Sequence, residues 1–188
     1  MDKDRGNLQI YAEKFAEAFG EPASIVPGRH RNFELSVNSL PLGRFLNGIL
    51  GPGLARSRSR KLPEFAFRLP AEKRAAIVRG FFDGEGWVGD HQVCAISASP
   101  ALLAGIQILL GSVGIEGRVS RTPGGSGAFG RGRWYYTIVV SDTKAFADKV
   151  GFCSPAKEER LASLRTTGFS KTSFLPPGLV LPMLREIK

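Results

Sequence analysis

The stretch at 77–89 constrains this chain more than any other. Apolar Ile77, Val78, Phe81 and Phe82 surround Gly80 and Gly84, and the run passes into Trp87 and Val88. The pattern predicts the end of a helix leading directly into a strand. Glycine costs a helix interior roughly 1 kcal/mol against Ala, so two of them one turn apart need a reason. They clear one face, so a second helix could approach the backbone closely. Asp83 and Glu85 stand in the last turn, where the helix dipole is negative and carboxylates are disfavoured. Gly86 is expected to end the helix in a left-handed conformation. A glycine-kinked core helix with a charged end would carry the same residues. Two acids beside two packing glycines point instead to a site built at some cost to stability.

Composition narrows the classes. The chain has 188 residues, 43% of them hydrophobic and 13 of them Phe, enough for one sizeable core or two small ones. Its net charge of +9 points to a polyanionic partner. No apolar run approaches ~20 residues, so no membrane span is expected. Residues 1–6 carry no apolar signal segment, which fits a cytoplasmic, nucleoid-associated or organellar protein. Cys94 and Cys153 lack metal-type spacing and are expected to be reduced thiols. His30 and His91 stand alone, which argues against a His-based metal site or triad.

Along the chain, an apolar stripe of Leu8, Ile10, Tyr11, Phe15 and Phe19 predicts a helix over 7–19, stopped by Gly20. Two strands, 24–26 and 31–37, flank Pro27-Gly28, the second alternating Phe33, Leu35 and Val37 with polar residues. Arg29 and Arg31 fall at this turn, either as a solvated tip or as groove contacts. A short helix over 42–50 follows. Arg56, Arg58, Arg60 and Lys61, spaced by serines, form the densest basic run. It reads as a flexible segment that tracks phosphates by charge rather than reading bases, or as a solvated loop. Pro70 sets the start of the motif helix. A hairpin over 87–97, a helix over 101–113, a strand from 119 and a strand over 134–140 come next. The glycine-rich stretch between them is read as a mobile loop with Arg131 and Arg133 on phosphates. Short helices over 144–150 and 158–164 close the folded part.

Residues 78–86 resemble the LAGLIDADG motif of homing endonucleases at each of its positions. The resemblance implies an α+β fold of two pseudo-repeated units, their antiparallel sheets forming a DNA-binding saddle. It places Gly80, Phe81 and Gly84 in an interface between two motif helices. Glu85 would hold the catalytic metal, Mg²⁺ or Mn²⁺, and Lys61 and Lys157 would act on the developing charge. A surface lysine opening the last helix is the plainer reading of Lys157. Asp83 is expected to point elsewhere and to cap or pair at the helix interface. Arg118, Arg133, Tyr135 and Thr137 are the expected base readers on the wet strand faces, with Arg29, Arg31, Arg56, Arg58, Arg60 and Arg131 on the DNA backbone.

An internal repeat supports this picture. Gly20 aligns with Gly114, 33–39 with 136–142, and Lys61 with Lys157. The division expected is an incomplete first half at 1–55, a basic linker at 56–70, a complete second half at 71–165 and an extension at 166–188. The counterpart of Glu85 would fall before Met1, so the first motif helix and its hairpin are expected to be missing. The extension is weakly similar to the segment after the endonuclease region of some inteins. The terminal Lys188 and initial Met1 do not suit protein splicing. The implied function is a site-specific DNA endonuclease, associated with an intron or intein, on a long double-stranded site. The alternative is a non-cleaving relative, an RNA splicing maturase or an inactive remnant. With its first motif missing, the chain would pair as a homodimer through 78–84, or fold residues 1–75 back over that face.

Overall fold

The computed structural model describes residues 5–28, 33–50, 57–124 and 134–164. Arg29, Arg31, Arg56, Arg131 and Arg133, and the extension from 166, lie outside the described residues. The elements run α1 (Arg5–Phe19), β1 (Ser24–Pro27), β2 (Phe33–Ser36), α2 (Leu40–Leu50), a 3₁₀ turn (Glu64–Arg68), then α3 (Ala71–Glu85). β3 (Gly86–Val88), β4 (Val93–Ser97), α4 (Pro100–Ser112), β5 (Arg118–Pro123), β6 (Trp134–Val140), α5 (Thr143–Lys149) and α6 (Pro155–Ser163) follow. The protein is therefore α+β with antiparallel sheets.

The repeat is visible in the backbone. α1 ends at Gly20 with φ 67° and α4 is followed by Gly114 with φ 73°, the left-handed conformation that glycine adopts without a Cβ penalty. Each of these helices leads into an antiparallel pair and then a helix: β1–β2–α2 after the first, β5–β6–α5 after the second. Among the described residues the first sheet has only those two strands. The second has four, in the order β3-β4-β6-β5, because the motif hairpin is added at its edge. The expected polar alternation of β2 is blurred, with Phe33, Glu34 and Leu35 all half-buried and Ser36 exposed.

One core lies between the four-stranded sheet and α3, α4 and α5. Val78 and Phe82 from α3, Leu103, Ile106, Leu109 and Leu110 from α4, Ile138 and Val140 from β6, and Phe146 from α5 are fully buried. Each contributes on the order of 1.5–3 kcal/mol against exposure. Phe82 and Phe146 meet edge-on at 5.0 Å, and Phe146 and Phe152 pack tilted at 5.4 Å. Local signals set the helix starts. Ser99 Oγ accepts from Leu102 N at 3.2 Å and Pro100 follows it into α4. Asp142 does the same for α5 through Ala145 N at 2.9 Å.

The register fixes which side of the sheet each residue takes. Val93, Ala95, Ile138, Val140 and Val119 face the core; their neighbours face away from it. Trp87 lies opposite Cys94, Cys94 opposite Val139, and Val139 opposite Arg118. Ile96 and Ser120 flank Thr137, and Thr122 lies opposite Tyr135. All of these share the face that α3, α4 and α5 do not cover.

Two glycine expectations come out differently. Gly86 is not left-handed: its φ is −103° and ψ 163°, ordinary extended backbone. It must be glycine because a Cβ there would stand 2.5 Å from the Phe82 carbonyl oxygen and 3.0 Å from that of Cys94. The chain turns from helix to strand with no room for a side chain. Gly80 and Gly84 are open, with no described atom within 4 Å of where a Cβ would sit. Among the described residues of 1–75, none folds over them. Phe81 beside them is half-buried against the core, edge-on to Phe82 at 5.7 Å.

These glycines make opposite predictions for the free chain. Gly86→Ala should cost about 1–3 kcal/mol in chemical denaturation, since backbone must shift to admit a methyl. Gly80→Ala, in a helix interior facing open space, should gain about 0.5–1 kcal/mol. A destabilisation at Gly80 that grows with protein concentration would show instead that a second copy packs on this face.

Candidate functional site

The site is built where the C-terminal end of α3 meets the N-terminal end of α6. Asp83 is buried there, and its carboxylate accepts from Cys153 N at 3.0 and 3.1 Å and from Ser154 N at 3.3 Å. Ser154 is the residue that precedes α6, so Asp83 supplies an anion to that helix's positive end. In return Lys157, in the first turn of α6, donates to the carbonyls of Asp83 at 2.6 Å and Phe82 at 3.2 Å. These are the last-turn acceptors of α3, its negative end. Each helix thus caps the other with a charged side chain. Further bonds tighten the join: Glu158 Oε2 accepts from Phe152 N at 2.7 Å, and Arg79 donates to Val150 O at 2.5 Å. The Lys157 ammonium also stands 5.7 Å from the centre of the Phe152 ring.

Glu85 is exposed at the end of α3 and makes no hydrogen bond or ion pair with a described residue. Asp83 does not share this site; it is a cap, as its position two residues away implies. Lys157 is brought to the same helix end as Glu85. Lys61 is not: it is exposed in the segment before the 3₁₀ turn and has no hydrogen bond or ion pair with a described residue. Among the described residues no three His, Cys, Asp or Glu side chains cluster as a metal cage. What the chain offers is one solvent-facing carboxylate at a negative helix end. That set suits a hard cation whose shell is completed by waters and phosphate oxygens, as Mg²⁺ prefers. Neither cysteine takes part. Burial raises the Cys153 thiol pKa, with the Asp83 carboxylate adding to it, and burial raises that of Cys94 against an opposing hydrogen bond from Gln92.

The uncovered sheet face carries three of the expected base readers together. Arg118, Tyr135 and Thr137 fall on it by register, Arg118 exposed and the other two half-buried. Trp87 and Ser120 escape a reading of the sequence, because only the register puts them on this face. Arg58 joins it as well, its guanidinium 5.9 Å from the centre of the Tyr135 ring. The basic segment is therefore not a free tether over 58–62. Ser99 Oγ donates to the Arg60 carbonyl at 2.5 Å, and Leu62 fills the notch left by Gly105, where a Cβ would meet it at 3.0 Å. At the far end of the sheet Arg121 lies over Trp134 at 4.7 Å, on the opposite face by register. Among the described residues no helix is long and apolar enough to cross a membrane.

Comparisons with known proteins agree with this geometry. Residues 72–151 match the model of a LAGLIDADG-like domain. The chain is 26% identical over 170 residues to the glutamine–fructose-6-phosphate aminotransferase of Methanocaldococcus jannaschii, covering 87% of this chain and 15% of that protein. It is 30% identical over 156 residues to the DNA polymerase II large subunit of Thermococcus kodakarensis, covering 81% of this chain and 8% of that protein. A DNA polymerase of Thermococcus hydrothermalis matches at 30% over 112 residues, 56% of this chain. The chain spans only 7% of that polymerase's length. In fold it is similar to I-DmoI in complex with DNA and Mn, with a TM-score of 0.58 and 16% identity over 79% of this chain and 77% of that one. A single-residue variant of I-DmoI with its target DNA and Mn gives a TM-score of 0.59 at 15% identity, over 79% and 75% of the two chains. Motif and matched domain converge: residues 72–151 carry a LAGLIDADG-like domain, and the fold of the chain is similar to that of I-DmoI.

Proposed function

We propose that the chain acts as a site-specific DNA endonuclease, hydrolysing phosphodiester bonds with a divalent cation. The observation that carries this is a pairing at one helix end: a Glu85 carboxylate with no partner among the described residues, and a fixed Lys157 ammonium. Glu85 would hold Mg²⁺ or Mn²⁺, which supplies charge for the phosphate and a more acidic water. Lys157 keeps a positive charge beside that position and so favours the extra negative charge of the pentavalent phosphate. Its two carbonyl bonds hold it in place, so no reorganisation is needed when that charge develops. The uncovered sheet face would lie along the duplex, with Arg118, Tyr135 and Thr137 toward base edges. The solved neighbours contain target DNA, and Mn or Mg, which supports both assignments.

The hosts of the matched segment support a mobile element. An aminotransferase and DNA polymerases share no chemistry, yet each contains a segment similar to this chain. The segment's activity is then its own rather than its hosts', as for an intein-borne or intron-borne endonuclease. A non-cleaving nucleic-acid binder is the second reading. It is favoured by the open Gly80–Gly84 face, because among the described residues no second motif helix packs there to bring a second acid. Pairing of two copies across that face would supply two Glu85 and two Lys157 side chains and would suit a roughly palindromic site.

Cleavage and binding separate these readings. Glu85→Gln should abolish nicking in Mg²⁺ while leaving duplex affinity within about threefold, because the residue carries charge chemistry and no packing. Nicking by that variant would refute the assignment of Glu85. Affinity for duplex DNA should fall steeply with salt. Replacing Arg60 by Ala should lower the slope of log K against log salt by about 1, for the phosphate no longer neutralised. An unchanged slope would mean that Arg60 does not meet the DNA backbone.

A further inference from the structure

The segment at 57–62 joins the two halves in sequence, but the partners that hold it down belong to the second. The Arg60 carbonyl is held by Ser99 Oγ at the start of α4. Leu62 sits in the notch over Gly105, further along the same helix. In the turn at 57–59, just before these anchors, Arg58 reaches the uncovered sheet face and lies over Tyr135. Tyr135 is opposite Thr122 and two residues from Thr137 on that face. A guanidinium laid on an aromatic ring keeps its edge donors directed outward in one plane. A flexible lysine-like tether has no such plane.

We propose that Arg58 and Tyr135 form one composite reading element, in which the docked linker adds a fixed guanidinium to the base-reading face. This rests on the endonuclease reading above and deepens it. Arg58 is then a specificity determinant, not the phosphate tether that its basic, serine-spaced context implies. Ser99 and Gly105 are positioning residues, since they touch the linker and not the DNA; Ser99 also caps α4. Arginine held in a plane bonds two acceptors of one guanine with a rigid fork, whereas lysine, a flexible point charge, neither stacks on the ring nor keeps that geometry.

The test is selection from a randomised duplex library, with bound duplexes recovered and sequenced. It compares the full chain with Arg58→Lys, Tyr135→Leu, their double variant and Gly105→Leu. Leucine is a good helix former, so Gly105→Leu fills the notch and displaces Leu62 without weakening α4. Leu62→Ala, which removes the anchor and leaves the α4 cap intact, serves in its place if Gly105→Leu unfolds in thermal denaturation. Arg58→Lys keeps the charge, so total retention of the library should stay within about twofold while preference at one or two base pairs is lost. Tyr135→Leu should flatten those same positions, and the double variant should go no further. Gly105→Leu should do likewise, and trypsin should cut it after Arg58 or Arg60 about tenfold faster than the parent. Preferences that survive Arg58→Lys, or that change at unrelated positions in the two single variants, would overturn the composite element alone. A parent chain that retains no duplex, with its linker still protected from trypsin, would overturn the DNA reading and this inference with it.

Discussion

Everything at the candidate site depends on two helices capping each other. A helix leaves carbonyls short of partners at its C-terminal end and amides short of them at its N-terminal end. Asp83 accepts from the Cys153 and Ser154 amides that lead into α6, and Lys157 donates to the Phe82 and Asp83 carbonyls at the end of α3. Opposite charges placed at the complementary ends of two dipoles stabilise both helices at once. The join also fixes position. Because Lys157 bonds the two carbonyls that precede Gly84, its charge cannot drift from the helix end that carries Glu85. A site residue is held there by bonds that also hold the fold.

The two acids of the motif divide their work by helix geometry. Two residues along an α-helix differ by roughly 200° in direction at 3.6 residues per turn. Asp83 therefore turns inward to α6, and Glu85 turns out to solvent. Among the described residues only the inward acid has partners, and only the outward one is open to a ligand. Gly86 completes the arrangement. With no space for a Cβ against the Phe82 and Cys94 carbonyls, the chain leaves the helix and enters β3 within one residue. A longer turn would separate Glu85 from the strand that follows it.

Much of this is legible in the sequence, for identifiable reasons. The motif helix and the breaks at Gly20 and Gly114 are local signals, and local signals can be read from one chain. The pairing of Gly20 with Gly114 exposes the repeat without any knowledge of the fold. The separation of Asp83 from Glu85 follows from periodicity alone. Gly86 misleads because a glycine after a helix usually marks a left-handed cap, whereas here the constraint is a clash with two carbonyls, one of them on the neighbouring strand. The basic run misleads for a similar reason: composition says flexible, but Leu62 finds a notch and Arg60 a hydroxyl on a helix that begins nearly forty residues later. Non-local contacts leave no mark in a window of sequence.

The open glycine face is what this structure leaves unbalanced. Gly80 and Gly84 weaken α3 by roughly 1 kcal/mol each against Ala, and nothing among the described residues offsets that through close packing. The charged end of the same helix is, by contrast, engaged with α6. A helix can keep such glycines without collapse because its other face, Val78 and Phe82, is locked in the core. The cost is therefore local and the fold tolerates it. What the face then offers is a backbone ridge without side chains, flanked by half-buried Phe81, on which a second helix could seat at short range. The same glycines that weaken the isolated helix leave its backbone open to close approach, and that openness is the one property of α3 that its own packing does not explain.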